Sequence, residues 1–203
     1  MPDIAMDLST GSLPAYLARP KEKGPWPGVV VVHDALGLTT DLRNQADWLA
    51  RHGYLAVAPN LYHWGRRIRC LIPTMRALAT GKGRSFDDLD ATRRWLHTSD
   101  DCTGRIGVIG FCMGGGYALM LAGSGAYQAS SVNYGTIGDA EHVLANSCPI
   151  IASYGAKDRS LRDARTPAIT NRLPSTPENA SSPSSINTSA EGRGTEVSSA
   201  RCR

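Results

Sequence analysis

Between residues 28 and 154, short runs of apolar and β-branched residues alternate with stretches whose apolar positions recur every three or four residues. This is the pattern of β-α-β units built around a mostly parallel sheet. The first run, Gly28-Val29-Val30-Val31-Val32, has no polar position, so it reads as a central strand with helices covering both faces. A helix is predicted from Thr40-Asp41, with Leu42, Ala46, Leu49 and Ala50 on one face and His52-Gly53 as its end. Tyr54 to Ala58 follows as a second strand, stopped by Pro59. The stretch from His63 to Gly83 shows no clean period and reads as a loop plus a short helix. From Phe86 to His97 the spacing of Phe86, Leu89, Thr92 and Leu96 predicts a helix, with Asp87, Asp88 and Asp90 near its positive end. A strand over Arg105 to Ile109 then runs into Gly110-Phe111-Cys112-Met113-Gly114-Gly115-Gly116 and a small-residue helix ending at Ala122. Two more strands, Ala129 to Tyr134 and Pro149 to Tyr154, flank a helix around Ala140 to Asn146.

Past Asp163 the pattern stops. Residues 164–203 hold 8 Ser, 5 Thr and 4 Pro with few large apolar side chains. Such a segment buries too little surface to offset a backbone ordering cost of roughly 1–2 kcal/mol per residue. The expected organisation is one domain over residues 1–163, followed by a disordered tail. The abruptness of the change suggests that the tail is out-of-frame translation, which the coding DNA around codon 163 would test.

Composition narrows the function. The 203 residues are 41% hydrophobic and 20% charged, as in an ordinary soluble domain. A net charge of +4 is spread among acidic residues without forming a stripe, so nucleic acid is not an expected partner. No apolar run approaches the ~20 residues of a membrane span, and no leader-like segment opens the chain. Cysteines at 70, 102, 112, 148 and 202 fit neither a disulfide framework nor a metal clip, so a reducing cytoplasm is the expected location.

In that setting Cys112 stands out. A nucleophile in a Gly-x-nucleophile-x-Gly segment between strand and helix is forced into a tight turn and projects above the sheet edge. Gly110-Phe111-Cys112-Met113-Gly114 has this form, and the positive end of the following helix favours a thiolate. The plain alternative is a small buried residue in a glycine-rich packing turn. Asp158, in Tyr154-Gly155-Ala156-Lys157-Asp158, is either a catalytic acid or a turn former. Arg66, Arg67 and Arg69 are suited to binding a substrate carboxylate or to lying in a solvated loop, and Tyr62 and Trp64 to walling a pocket or capping the core.

From about Gly11 to Arg162 the chain resembles the dienelactone hydrolase family of α/β-hydrolases, which use cysteine where most of their relatives use serine. The resemblance rests on His33-Asp34-Ala35-Leu36-Gly37-Leu38, on Gly110-Phe111-Cys112-Met113-Gly114-Gly115 and on Gly155-Ala156-Lys157-Asp158. It implies an α/β-hydrolase-like, mostly parallel sheet flanked by helices. It also implies Cys112 as nucleophile, Asp158 as triad acid and Asp34 near the resting thiol, where the family usually has Glu. The backbone N–H groups of Met113 and Ala35 would hold the oxyanion, with no cofactor and no metal. The implied substrate is a small lactone, enol ester or thioester.

The family order places a histidine after the acid. Here the histidines are at 33, 52, 63, 97 and 142, and none follows His142. The sheet is therefore expected to be truncated at its C-terminal side, with activity reduced by ~10^4 to 10^6 for want of a base. His33 and His63, near the correct sheet edge, are the upstream candidates to replace it. The rival reading is a non-catalytic remnant or interaction protein that self-associates through an exposed sheet edge.

Overall fold

The computed structural model describes residues 3–8, 11–65, 67–135, 137, 140–155 and the backbone of 195–200. Strands β1 (Asp3–Leu8), β2 (Gly11–Ala18), β3 (Trp26–Val32), β4 (Leu55–Pro59), β5 (Cys102–Phe111), β6 (Ala129–Asn133), β7 (Ile150–Gly155) and β8 (Thr195–Ala200) form one sheet. Their order is β1-β2-β4-β3-β5-β6-β7-β8, with the five from β4 to β7 parallel. β1, β2 and β8 pair antiparallel. The expected mostly parallel sheet is present, and β1 and β2 extend it beyond the predicted strands.

Alternate residues of β3 explain its unbroken apolar run. Val29 and Val31 pack with Leu42, Ala46, Leu49 and Ala50 of α1 (Thr40–Arg51) on one face. Val30 and Val32 join the larger core on the other face. That core takes in Leu89 and Leu96 of α3 (Arg84–His97) and Tyr117 and Leu121 of α4 (Met113–Ala122). The start of α1 is fixed by Thr39, whose hydroxyl accepts the Leu42 N–H at 3.3 Å, and Gly53 at φ +85° follows its end. α5 (Ala140–Ala145) lies between β6 and β7, as predicted.

The stretch expected to be a loop plus a short helix is instead the 14-residue helix α2 (Arg67–Thr80), with Pro73 inside it. Next to the proline, which has no N–H to give, Thr74 Oγ1 donates to the carbonyl of Cys70, four residues before it, at 2.8 Å. Within the predicted tail, residues 195–200 run as β8, and the rest of 164–203 lies outside the described residues. Among the described residues, no helix is long and apolar enough to cross a membrane, and no group of His, Cys, Asp and Glu could hold a metal ion.

Candidate active site

β5 delivers the chain to the sheet's carboxyl edge at Phe111, and α4 begins two residues later at Met113. Cys112 lies between them at φ +53°, ψ −116°, and is exposed. A non-glycine residue in this region is strained, and such strain persists only where the surroundings impose it. Here three glycines let backbones touch. A Cβ on Gly110 would lie 1.9 Å from the Gly114 carbonyl oxygen, and one on Gly114 would lie 2.3 Å from that of Val32. One on Gly115 would lie 2.6 Å from the Asn133 carbonyl oxygen. Asn133 clamps the turn from β6: its carbonyl accepts the Cys112 N–H at 3.0 Å and its Nδ2 donates to the Gly110 carbonyl at 3.2 Å.

The loop after β3 lies alongside. The Asp34 carboxylate accepts the Leu36 N–H at 2.7 Å and its carbonyl the Gly37 N–H at 3.2 Å, closing a turn around Ala35. The positive end of α4 opens beside Cys112, and the Met113 N–H is among the first-turn donors a helix leaves unpaired. Tyr62 is buried beneath this edge, which departs from a role as an open pocket wall. Its hydroxyl donates to the Ala35 carbonyl at 3.2 Å and lies 4.0 Å from Met113 Sδ, tying together the two loops that carry the candidate oxyanion donors.

Sequence reasoning missed Tyr134, which directly follows β6 at φ +45° and is half exposed. Burial first, and then the negative charges of Cys112, Asp34 and Asp41, hold its phenol above the ordinary value. The available signal was an aromatic residue at the end of the strand next to the nucleophile strand, followed by Gly135. A Cβ on that glycine would lie 2.1 Å from Gly115 C.

The upstream histidines are both engaged. His33 is fully buried; its Nδ1 is 2.6 Å from the Asp34 carbonyl oxygen, and its Nε2 accepts the Leu61 N–H at 3.1 Å. A carbonyl only accepts and an N–H only donates, so the proton sits on Nδ1 and neither nitrogen is free to take one. Burial also lowers the His33 pKa. The folded state therefore resists protonation, and stability should fall as pH drops below the ordinary value of 6.5. Denaturant melts between pH 7 and about 5 should show this slope, and it should be shallower in His33→Gln. His63 Nε2 lies 3.3 Å from the buried Asp88 carboxylate of α3, to which Arg84 Nε also approaches within 3.9 Å. His52 caps α1, and His97 and His142 are exposed, as read from the sequence. Asp158 and Arg66 lie outside the described residues.

Known proteins resemble this chain in sequence and in fold. The chain is 28% identical over 176 residues to the "Putative carboxymethylenebutenolidase" of Methylorubrum extorquens, covering 78% of this chain and 60% of that one. It is 30% identical over 125 residues to the "Carboxymethylenebutenolidase" of Pseudomonas putida, covering 57% and 52%. The chain therefore spans only about three fifths or less of the length of these relatives. The crystal structure of "Putative Dienelactone Hydrolase" from Klebsiella pneumoniae superposes with a TM-score of 0.66 at 27% identity, over 78% of this chain and 73% of that one. Residues 13–180 match the model of the dienelactone hydrolase family, and the chain belongs to that family.

Proposed function

We propose that this chain cleaves the acyl bond of a small lactone, enol ester or thioester through a thioester formed on Cys112. The observation that carries the reading is the exposed, strained Cys112 at the head of α4, in a turn whose glycines have no room for a Cβ. The thiolate sulfur attacks the carbonyl carbon, and its electron pair forms the C–S bond as the carbonyl π pair moves onto oxygen. The Met113 and Ala35 N–H groups receive that oxyanion, a contribution of roughly 3–4 kcal/mol per donor. Collapse of the intermediate expels the alkoxide, enolate or thiolate, which takes a proton from water. Tyr134 follows Asn133, whose carbonyl accepts the Cys112 N–H, and the exposed Leu36 and Tyr134 side chains would offer apolar contact to the substrate.

Hydrolysis of the thioester needs a base to take a proton from water, and His33 is not available for it. Acylation should therefore outrun deacylation. With p-nitrophenyl acetate, the expected result is a burst approaching one nitrophenolate per chain, then slow turnover, with acetyl mapped to Cys112 by mass spectrometry. A linear time course, or acetyl on another residue, would refute the proposal. Iodoacetamide near neutral pH should label Cys112 well ahead of Cys70, whose thiol is buried and has its pKa raised by that burial.

Tyr62→Phe keeps the ring and removes the bond to the Ala35 carbonyl. The expected effect is an acylation rate about tenfold lower with little change in KM, because the oxyanion loop loses its brace rather than a substrate contact. A change confined to KM would instead place Tyr62 against the substrate.

A further inference from the structure

We infer that the junction of α2 and α3 binds a small organic phosphate at a site separate from Cys112. A cavity of about 450 Å3 opens there, with Trp64, Arg76, Thr80, Lys82, Arg84 and Ser85 among its lining. This volume lies within the ~300–1,000 Å3 usual for small-molecule sites. Its described lining holds no residue of the Cys112 turn or of α4, and the neighbouring Thr74 and Gly81 meet α4 on its later turns. Tyr117 Oη donates to the Thr74 carbonyl at 2.6 Å, and a Cβ on Gly81 would lie 2.9 Å from Met120 Cε, whereas Cys112 precedes the helix.

Among the described residues, the lining contains three cations and no carboxylate. Arg84 is partly committed, lying 5.7 Å from the centre of the Trp64 ring and 3.9 Å from the Asp88 carboxylate. Among the described residues, neither Arg76 nor Lys82 forms an ion pair. Two uncommitted positive charges at one cavity favour a dianion over a monoanion, and a guanidinium with an ammonium suits phosphate oxygens. The Trp64 ring, with Pro73 and Ala77, gives the cavity an apolar wall for an organic body. α3 begins beside it at Gly83 with no side-chain cap, adding the positive end of a 14-residue helix. The first-turn Asp87 is exposed and outside the lining.

The test is titration of the full chain with phenyl phosphate at low ionic strength, followed by calorimetry and tryptophan emission. Saturable binding is expected, weakened about tenfold or more in the double variant Arg76→Gln/Lys82→Gln. Both positions are exposed, so that variant should fold as the parent does. Trp64→Phe should abolish the emission change and weaken the calorimetric affinity. Phenylacetate, a monoanion of similar shape, should bind at least about tenfold more weakly. Cys112→Ala should bind phenyl phosphate as the parent does, so the outcome is independent of the proposed esterase chemistry. Absence of saturation, equal affinity in the double variant, equal affinity for phenylacetate, or loss of binding in Cys112→Ala would each overturn the assignment.

Discussion

Cys112→Ala should eliminate the acylation burst and lower single-turnover cleavage of p-nitrophenyl acetate about 10^4-fold or more. The sulfur is the only atom the proposed acylation step cannot do without. The Met113 and Ala35 N–H groups survive the substitution and would still polarise a carbonyl, so the residue of activity reports oxyanion stabilisation alone. Alanine is as strained at φ +53° as cysteine, so the variant should melt close to the parent. Loss of rate with an unchanged melt therefore reads chemistry rather than folding. Cys112→Ser sharpens the result: a hydroxyl at the same point ionises far less readily than a thiol and has no histidine beside it to take its proton, so it too should be nearly inactive. Cleavage within about tenfold of the parent in Cys112→Ala would remove Cys112 from the mechanism.

Gly110→Ala should be the most damaging single substitution for the fold. Its Cβ would fall 1.9 Å from the Gly114 carbonyl oxygen and 2.2 Å from the carbon of the same group. Overpacking costs about 1–3 kcal/mol where neighbouring side chains can give way. Here the obstacle is backbone, held on one side by β5 and on the other by the first turn of α4. The expected cost exceeds about 4 kcal/mol, a large part of the ~5–15 kcal/mol by which domains are stable. Gly135→Ala, 2.1 Å from Gly115 C, should behave alike. Gly125→Ala is the control: nothing lies within 4 Å of its Cβ, and only its φ of +71° opposes a side chain, at about 1–2 kcal/mol. Urea melts of the three variants check the contrast. A Gly110→Ala protein as stable as Gly125→Ala would mean that strand and helix do not meet as described.

The central sheet was readable because its residues declare it locally. β3 is apolar at every position from Val29 to Val32, and α1 and α3 repeat apolar residues at helical spacing. α2 was not, for a reason visible in its burial. Its inward face is Cys70, Thr74, Ala77 and Leu78, small or polar for the most part, while Ile68 at 80% and Ile72 at 72% exposure face outward. An apolar period does not mark a helix whose largest apolar side chains point to solvent, and Pro73 argues against it locally. β1 and β2 were missed because polar residues interrupt them and Pro14 stands in β2, where it precedes the pairing with β4 that begins at Ala15.

For the site, the sequence by itself determined the glycine-flanked Cys112, because a tight strand-to-helix turn can be recognised from neighbours along the chain, whereas the Asp34-Ala35 loop was legible only through the family resemblance. Tertiary structure decided which polar groups are left to act. His33 is a plausible base by residue type, yet its Nε2 is taken by an N–H 28 residues away and its Nδ1 by the next carbonyl. Tyr62 becomes a brace, and Tyr134 comes to the same sheet edge as Cys112 only because β6 pairs with β5, with Asn133 opposite Phe111. Residue type sets what a side chain is able to do. Whether it does so depends on which donors and acceptors the fold brings within about 3 Å, and those come from distant parts of the chain.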